Sequence, residues 1–250
     1  MKELAFMAIE VFNRYENKYM MDEAVCEKLR HRLAEYMEPD KHNNRHGAYA
    51  ICNLYYDTPD SFLIRNSLAK PVYKEKLRVR SYGVPERDGR VYVEIKKKFC
   101  GLVNKRRSAL PLDEAYRFLA TGVIPKIGDG MNPQVLSEIQ YVLEQHELRP
   151  QVFLAYERLA FFGTGQHDLR VSFDTNITTR RTDLRFESGI YGEKLLPSGK
   201  WLMEVKTAES IPLWLCRLLS EYEIYPISFS KYGTEYKHSL APEISAKQAS

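Results

Sequence analysis

The sequence predicts an α+β fold in which antiparallel strands curl into a closed barrel with helices packed outside it. The first observation is YKEKLRVRS, Tyr73 to Ser81, where Lys74, Lys76, Arg78 and Arg80 occupy every second position. Strand side chains alternate between faces, so these cations share one face, whereas a helix would scatter them around its axis. Second, the alternation recurs in five other segments: Arg14, Glu16 and Lys18; Glu94, Lys96 and Lys98; Tyr156 and Arg158; Arg170, Ser172 and Asp174; Glu204 and Lys206. Third, 17 tyrosines against 2 tryptophans suit sheets and tunnel walls better than helical bundles.

The elements follow in order. Phe6 to Met20 reads as the first strand, and Asp22 as the N-cap of a helix from Glu23 to Glu38, ended by Glu38-Pro39-Asp40. After a polar turn, Tyr49 to Tyr56 is a strand broken by Asp57-Thr58-Pro59-Asp60 into a short helix, Ser61 to Ser67. The cationic strand Val72 to Tyr82 turns through Pro85 to Gly89 into a strand from Val91 to Lys98. LVNKRRSAL, after Gly101, reads as extended and brings Lys105 and Arg107 to one side. Leu112 to Gly122 and Pro133 to His146 read as helices, the second capped by Asn132. Strands return at Gln151 to Phe162, Leu169 to Asn176, Trp201 to Thr207 and Ile227 to Tyr232. Between the last two lies a helix, Pro212 to Glu223, with Leu215, Leu218, Leu219 and Tyr222 on one side.

A chain of 250 residues with 44% hydrophobic content can bury a substantial core. No repeat, linker or boundary divides it, so one domain is expected over 1–250, its core about 12–236, with 241–250 frayed. The net charge of +4 does not by itself predict nucleic acid or an anionic membrane as partner. Cys26, Cys52, Cys100 and Cys216 lack any CxxC spacing and read as ordinary buried or half-buried thiols. The six histidines do not cluster as metal ligands. Neither a signal peptide nor a membrane span of ~18 apolar residues is visible, so a soluble, cytoplasmic protein is expected.

A solvated outer face is the ordinary reading of any single strand that alternates apolar and charged residues. Six strands with a shared cationic bias favour another: in a closed barrel the alternate residues point inward. The lumen is then a basic tunnel with a few acids, suited to phosphates and a divalent metal. Glu16, Glu94 and Glu204 either neutralise neighbouring lysines or bind Mg²⁺ or Mn²⁺ together with phosphate oxygens. Glu204, flanked by Met203 and Val205, is the preferred metal ligand.

Together these residues resemble the polyphosphate polymerase domain of the vacuolar transporter chaperone (VTC) family, within the triphosphate tunnel metalloenzyme (CYTH-like) superfamily. The resemblance runs from about Phe12 to Tyr236, through RYENKY, LYYDTPD, YKEKLRVRSYG, VEIKKK, YERLAF, LRVSFDTNI, MEVKT and FSKYG in that order. It implies an eight-stranded antiparallel β-barrel tunnel with peripheral helices. It also implies a catalytic set of Arg78, Arg80, Lys96, Tyr156, Arg158, Arg170 and Lys231, the four arginines holding the nucleotide triphosphate. Arg14, Lys18, Lys74, Lys76, Lys98, Lys105 and Lys206 would bind the rest of the chain, with Mn²⁺ or Mg²⁺ on Glu204 and, as the weaker candidate, Glu16. One departure stands out: the superfamily's ExExK pattern on the first strand is here Arg14-Tyr15-Glu16-Asn17-Lys18. The arginine in place of the first acid leans toward the cation-rich polymerase branch and leaves a second metal position without its ligand.

The activity implied is transfer of the ATP γ-phosphoryl group to a growing polyphosphate chain. The alternatives are a metal-dependent inorganic or nucleoside triphosphatase and a non-catalytic binder of polyphosphate or inositol phosphates. Single-stranded nucleic acid is disfavoured, because the cations alternate with packing residues inside strands instead of lining an exposed groove. The chain reads as a free-standing, bacterial version that works with a separate membrane protein.

Overall fold

Backbone pairing orders eight long strands into one antiparallel sheet, in a computed structural model that describes residues 15–41, 43, 47–100 and 102–248. β1 (Tyr15–Asp22) leads into α1 (Glu23–Leu33) and the short β2 (Met37–Pro39). Next come β3 (Tyr49–Asp57), α2 (Phe62–Leu68), β4 (Tyr73–Tyr82), β5 (Arg90–Phe99) and β6 (Leu102–Pro111). Helices α3 (Leu112–Thr121) and α4 (Pro133–Gln145) precede the long strands β7 (Arg149–Gly163) and β8 (Gln166–Arg180). β9 (Glu193–Lys194), β10 (Lys200–Thr207), α5 (Leu213–Glu221) and α6 (Lys231–Gln248) complete the order. The spatial order is β1-β10-β8-β7-β3-β4-β5-β6, with β2 added to β7 and β9 to β8.

The sheet curls strongly. Laid flat, β1 and β5 would stand about 29 Å apart at normal strand spacing, yet Lys96 on β5 and Glu16 on β1 sense each other's charge. The expected closed barrel is nevertheless not joined by backbone pairing: among the described residues no ladder links β1 to β6. The free edge of β1 is taken elsewhere. Tyr19 bridges Pro226, and the Ile227 N–H donates to the Lys18 carbonyl at 2.7 Å, so this segment sits where a closing strand would pair.

Helices cover the outer face in two groups. Leu77, Val79, Val93 and Ile95 pack under Phe118 of α3 and Ile139 of α4. Met203, Val205, Val171 and Phe173 pack under Leu29 and Leu33 of α1 and Leu215 and Leu218 of α5. The apolar half of each alternating strand therefore faces outward, toward helices. A third cluster lies inside the curl: Ile51, Leu154, Tyr156, Ile177 and Leu202 meet Tyr232 and Tyr236 of α6. Contrary to the expectation of a wholly polar lumen, α6 fills part of the interior with aromatic side chains.

Several sequence expectations are corrected here. The first helix ends at Leu33, because Met37–Pro39 pairs with the exposed edge of β7 and buries Met37. Asp22 holds the N-cap position but its side chain makes no capping bond; it pairs with Lys200 at 2.6 Å. Ile227 to Tyr232 is not a strand. Ser230 starts α6, its Oγ accepting from the Gly233 N–H at 3.2 Å, in the manner of a helix cap. The last helix, α6, runs to Gln248. Cys26 and Cys52 are buried as expected, but Cys100 and Cys216 are exposed. Asn132, by contrast, caps α4 as expected, accepting from the Val135 N–H at 3.2 Å.

Candidate functional site

On β4 the inward face carries the cations of YKEKLRVRS, while Leu77 and Val79 anchor the outward face at 1% and 0% exposure. β5 and β6 continue the surface, pairing Lys74 with Lys98, Lys76 with Lys96, Arg78 with Glu94, and Lys96 with Lys105. Across the curl, β1, β10 and β8 bring Lys18 opposite Glu204, Glu16 opposite Lys206, and Lys206 opposite Arg170. These side chains meet in one interior. Arg14 lies outside the described residues.

The carboxylates organise the cations into two centres. Glu204 is met by Lys206 Nζ at 3.0 Å, Lys231 Nζ at 3.2 Å, Arg158 Nη2 at 3.4 Å and Lys18 Nζ at 3.6 Å. Burial pushes its carboxyl pKa up, but Lys206, Lys231, Arg158 and Lys18 together hold it well below the usual range. Beside it, Asp174 takes a fork from Arg158, Nε to Oδ1 at 2.6 Å and Nη2 to Oδ2 at 2.7 Å, and a bond from Lys231 at 2.5 Å. Lys231 therefore bridges two acids, and their attraction raises its pKa despite the opposing effect of burial. Glu16 completes this side, 3.3 Å from Lys18 and 3.9 Å from Lys206.

Glu94 organises the other side. Arg78 lies 2.8 Å from it, Lys105 2.8 Å and Arg80 3.7 Å. Burial raises the Glu94 pKa, but Arg78, Arg80 and Lys105 outweigh it and the group stays ionised far into acid. Arg78 also donates to the Tyr55 hydroxyl at 2.9 Å, and Arg80 to Asn53 Oδ1 at 3.1 Å. The like-charged row is thus not bare: its arginines are held in place by acids and amides before any ligand arrives.

The lysines are less well compensated. Burial pushes the Lys105 ammonium down to about 7 and Lys76 down to about 8, and it lowers Lys74 and Lys96 as well. Lys74 donates to the Ser67 carbonyl at 3.0 Å, Lys18 to the Phe229 carbonyl at 2.9 Å, and Lys98 stands opposite Lys74 on the same face. Lys74 and Lys98 thus stand opposite each other, as do Lys76 and Lys96, like charge against like charge.

Two expected residues hold different positions. Tyr156 is buried, its ring 5.2 Å from the Arg158 guanidinium and 4.6 Å from Lys231 Nζ. It braces the cations that grip the acids. Arg170 sits further out, 3.4 Å from Asp40 and 5.1 Å over the Phe162 ring, with its buried Nε lacking a hydrogen-bond partner.

Asp174 is an acid of the site that sequence reasoning left outside its chosen residues, whereas Glu94, read there as a neutraliser or a metal ligand, pairs with Arg78, Arg80 and Lys105. The signal for Asp174 was its place in the Arg170, Ser172, Asp174 alternation, opposite Arg158 on β7. Beyond it a bulge interrupts the alternation. Asn176 adopts φ +50° and the register shifts opposite Tyr156, so that Ile177 also turns inward.

Among the described residues no group of three or more His, Cys, Asp or Glu is arranged to hold a metal. Glu204 and Glu16 do fit a hard divalent cation of the kind bound by one or two carboxylates plus phosphate oxygens. They share Lys18 and Lys206, and each feels the other's charge. Surrounded by ammonium groups, they offer few ligands alone, and an ion held there would need phosphate oxygens to supply the others.

A family model described as the VTC domain matches residues 13–240. Vacuolar transporter chaperone complex subunit 4 of Schizosaccharomyces pombe is 29% identical over 173 residues, 62% of this chain and 24% of that protein. The match therefore spans about a quarter of the relative's length. Among solved structures, a Hippeastrum protein assigned as an adenylyl cyclase, with a dominant triphosphatase activity, superposes with TM-score 0.56 at 15% identity. That alignment covers 89% of this chain and 95% of the other. A Bacillus halodurans protein assigned as an adenylate cyclase gives TM-score 0.54 at 13% identity, covering 88% and 94%. At such identities the likeness is one of fold: a curled antiparallel sheet with peripheral helices.

Proposed function

This chain belongs to the VTC domain family, and from that membership we propose that it is a metal-dependent polyphosphate polymerase, transferring the ATP γ-phosphoryl group to a growing polyphosphate chain. The observation that carries the reading is the division of the interior. Arg78, Arg80 and Arg158 are fixed by Glu94, Asn53 and Asp174, while beyond them Lys74 faces Lys98 and Lys76 faces Lys96 in a stripe of like charges. Phosphoryl transfer asks the protein for in-line positioning and charge neutralisation more than for covalent chemistry. Preorganised guanidinium forks suit a triphosphate held at defined angles, and lysines act as mobile point charges along a chain of variable length.

In this mechanism Arg78, Arg80 and Arg158 hold the nucleotide phosphates, with Arg170 further out. Lys231 and Tyr156 position Arg158 and its acids, and Lys96 and Lys105 face the transferring group. A divalent Mn²⁺ or Mg²⁺ held by Glu204, with Glu16 beside it, would neutralise charge on the phosphates. Lys18, Lys74, Lys76, Lys98 and Lys206 accompany the acceptor chain. That acceptor is already an anionic phosphate, so the chain's residues need only align it. Among the described residues no helix is long and apolar enough to cross a membrane, and we place the domain in the cytoplasm, delivering product to a separate membrane protein.

Incubation with ATP and Mn²⁺, followed by polyacrylamide gel analysis, tests the proposal. A ladder of polyphosphate is expected. Orthophosphate or tripolyphosphate alone would make the protein a triphosphatase, and binding without turnover would make it a polyphosphate receptor.

A further inference from the structure

The two ends of the cationic surface differ in chemistry. One end of the β4–β5 pair carries Lys74, Lys76, Lys96 and Lys98. At the other end the same inward face finishes in tyrosine. Tyr82 follows Arg80 by two positions, Tyr92 is the cross-strand partner of Arg80, and Tyr49 is the cross-strand partner of Arg158. The three rings form a continuous cluster: Tyr49 and Tyr82 centroids lie 6.1 Å apart at 45°, and Tyr82 and Tyr92 lie 5.9 Å apart, edge to face at 83°. Arg107 stacks over Tyr92 at 4.9 Å. Tyr82 is 50% exposed, held by two ring neighbours without being covered by them.

We propose that Tyr82, buttressed by Tyr49 and Tyr92, is the stacking platform for the nucleobase of the donor nucleotide, so that nucleotide enters at the tyrosine end and product leaves along the lysine end. This rests on the function proposed above. A triphosphate held by Arg80 meets Tyr82 as the next inward-facing residue of β4, about 7 Å along the strand. Tyr92 stands level with Arg80 and Tyr49 level with Arg158, so the rings lie within reach of a nucleoside whose phosphates those arginines hold. A partly exposed ring that is already oriented offers a π-face at little entropic cost, and stacking tolerates any base. The lysine end offers point charges in place of such a platform, which suits a product made only of phosphate.

The test compares ATP with inorganic tripolyphosphate, which has the charges but no base. Calorimetric titration in chelator is run on wild type, Tyr82→Ala and Tyr82→Phe. Tyr82→Ala is expected to weaken ATP roughly tenfold, as loss of one stacking contact does, and to leave tripolyphosphate unchanged. Tyr82→Phe is expected to keep both. In turnover, KM for ATP rises in Tyr82→Ala while kcat and the product ladder persist. Equal weakening of both ligands would make Tyr82 a structural residue, and unchanged ATP affinity would remove the platform while leaving the polymerase reading intact. Wild-type protein that takes up neither polyanion overturns both.

Discussion

Arg158 and Asp174 face each other on adjacent strands as a two-bond fork, Nε to Oδ1 at 2.6 Å and Nη2 to Oδ2 at 2.7 Å, with both side chains buried. The pair fixes the guanidinium plane before ligand binds, and Lys231, donating to the same carboxylate, ties the first turn of α6 to the sheet.

Asp174→Asn should therefore be costly. It leaves Arg158 and Lys231 sharing Glu204 alone, and breaking a buried pair from one side costs about 3 kcal/mol or more. Denaturant unfolding is expected to show that loss, together with collapse of turnover. Parent-like stability would mean that Glu204 alone can balance both cations.

Arg78→Ala is expected to abolish turnover and also to destabilise the protein. From the like-charged row alone, removing a cation looks like relief of repulsion. The structure reverses that expectation, because Arg78 pairs with Glu94, which is 1% exposed. Its removal leaves a buried carboxylate with Arg80 and Lys105 only, and a loss of about 2 kcal/mol is expected. Thermal melting without ligand, for the single variant and for Arg78→Ala with Glu94→Gln, checks this. The double variant should recover part of the loss.

The depressed lysines set a pH dependence. Lys76 at about 8 and Lys105 at about 7 both lie below the ordinary 10.5, so the folded state sheds these protons before the unfolded chain does. Between those values and 10.5 the unfolded state binds more protons, and stability rises with pH. Ligand-free protein should melt at a higher temperature at about pH 9 than at about pH 7. Tripolyphosphate restores the ammonium forms, so its affinity should fall over the same range with proton uptake. Titration calorimetry in two buffers of different ionisation enthalpy measures that uptake directly. A melting temperature that falls across the window would remove these lysines as the cause.

Glu204→Gln keeps size and hydrogen bonding but removes the anion from among four cations. Turnover is expected to vanish at every Mn²⁺ concentration, while polyphosphate binding in chelator persists or tightens. Full activity at ordinary Mn²⁺ would dismiss Glu204 as a metal ligand.

Much of this site was legible from period two alone. The alternation in YKEKLRVRS places Arg78 and Arg80 inward because Leu77 and Val79 must pack under α3 and α4. Asp57, read only as a strand breaker, proves to be a buried anchor. Its oxygens accept from the N–H groups of Thr58, Leu63 and Ile64 and from the Tyr232 hydroxyl, fastening α2 and α6 to the end of β3. What escaped the sequence depended on distant partners. Met37–Pro39 becomes a strand only because β7 offers an edge, and Tyr232 and Tyr236 reach the interior only because α6 crosses it. The bulge at Asn176 breaks the alternation that made the other strands readable.

The strand order also dictates when the interior can exist during synthesis. β3 to β6 contain the Arg78 and Arg80 row with Glu94, and β3, β4, β5 and β6 pair in sequence. Asn53, by contrast, reaches Leu154 across 101 positions, and Lys18 reaches Phe229 across 211. Such long-range closure is slow, and it waits until the distant segments have left the ribosome. Until Glu204 emerges, Lys18 has only Glu16, and Arg158 only Asp174, to pair with. The interior is thus the last part of the molecule to be assembled, after β3 to β6 have already paired.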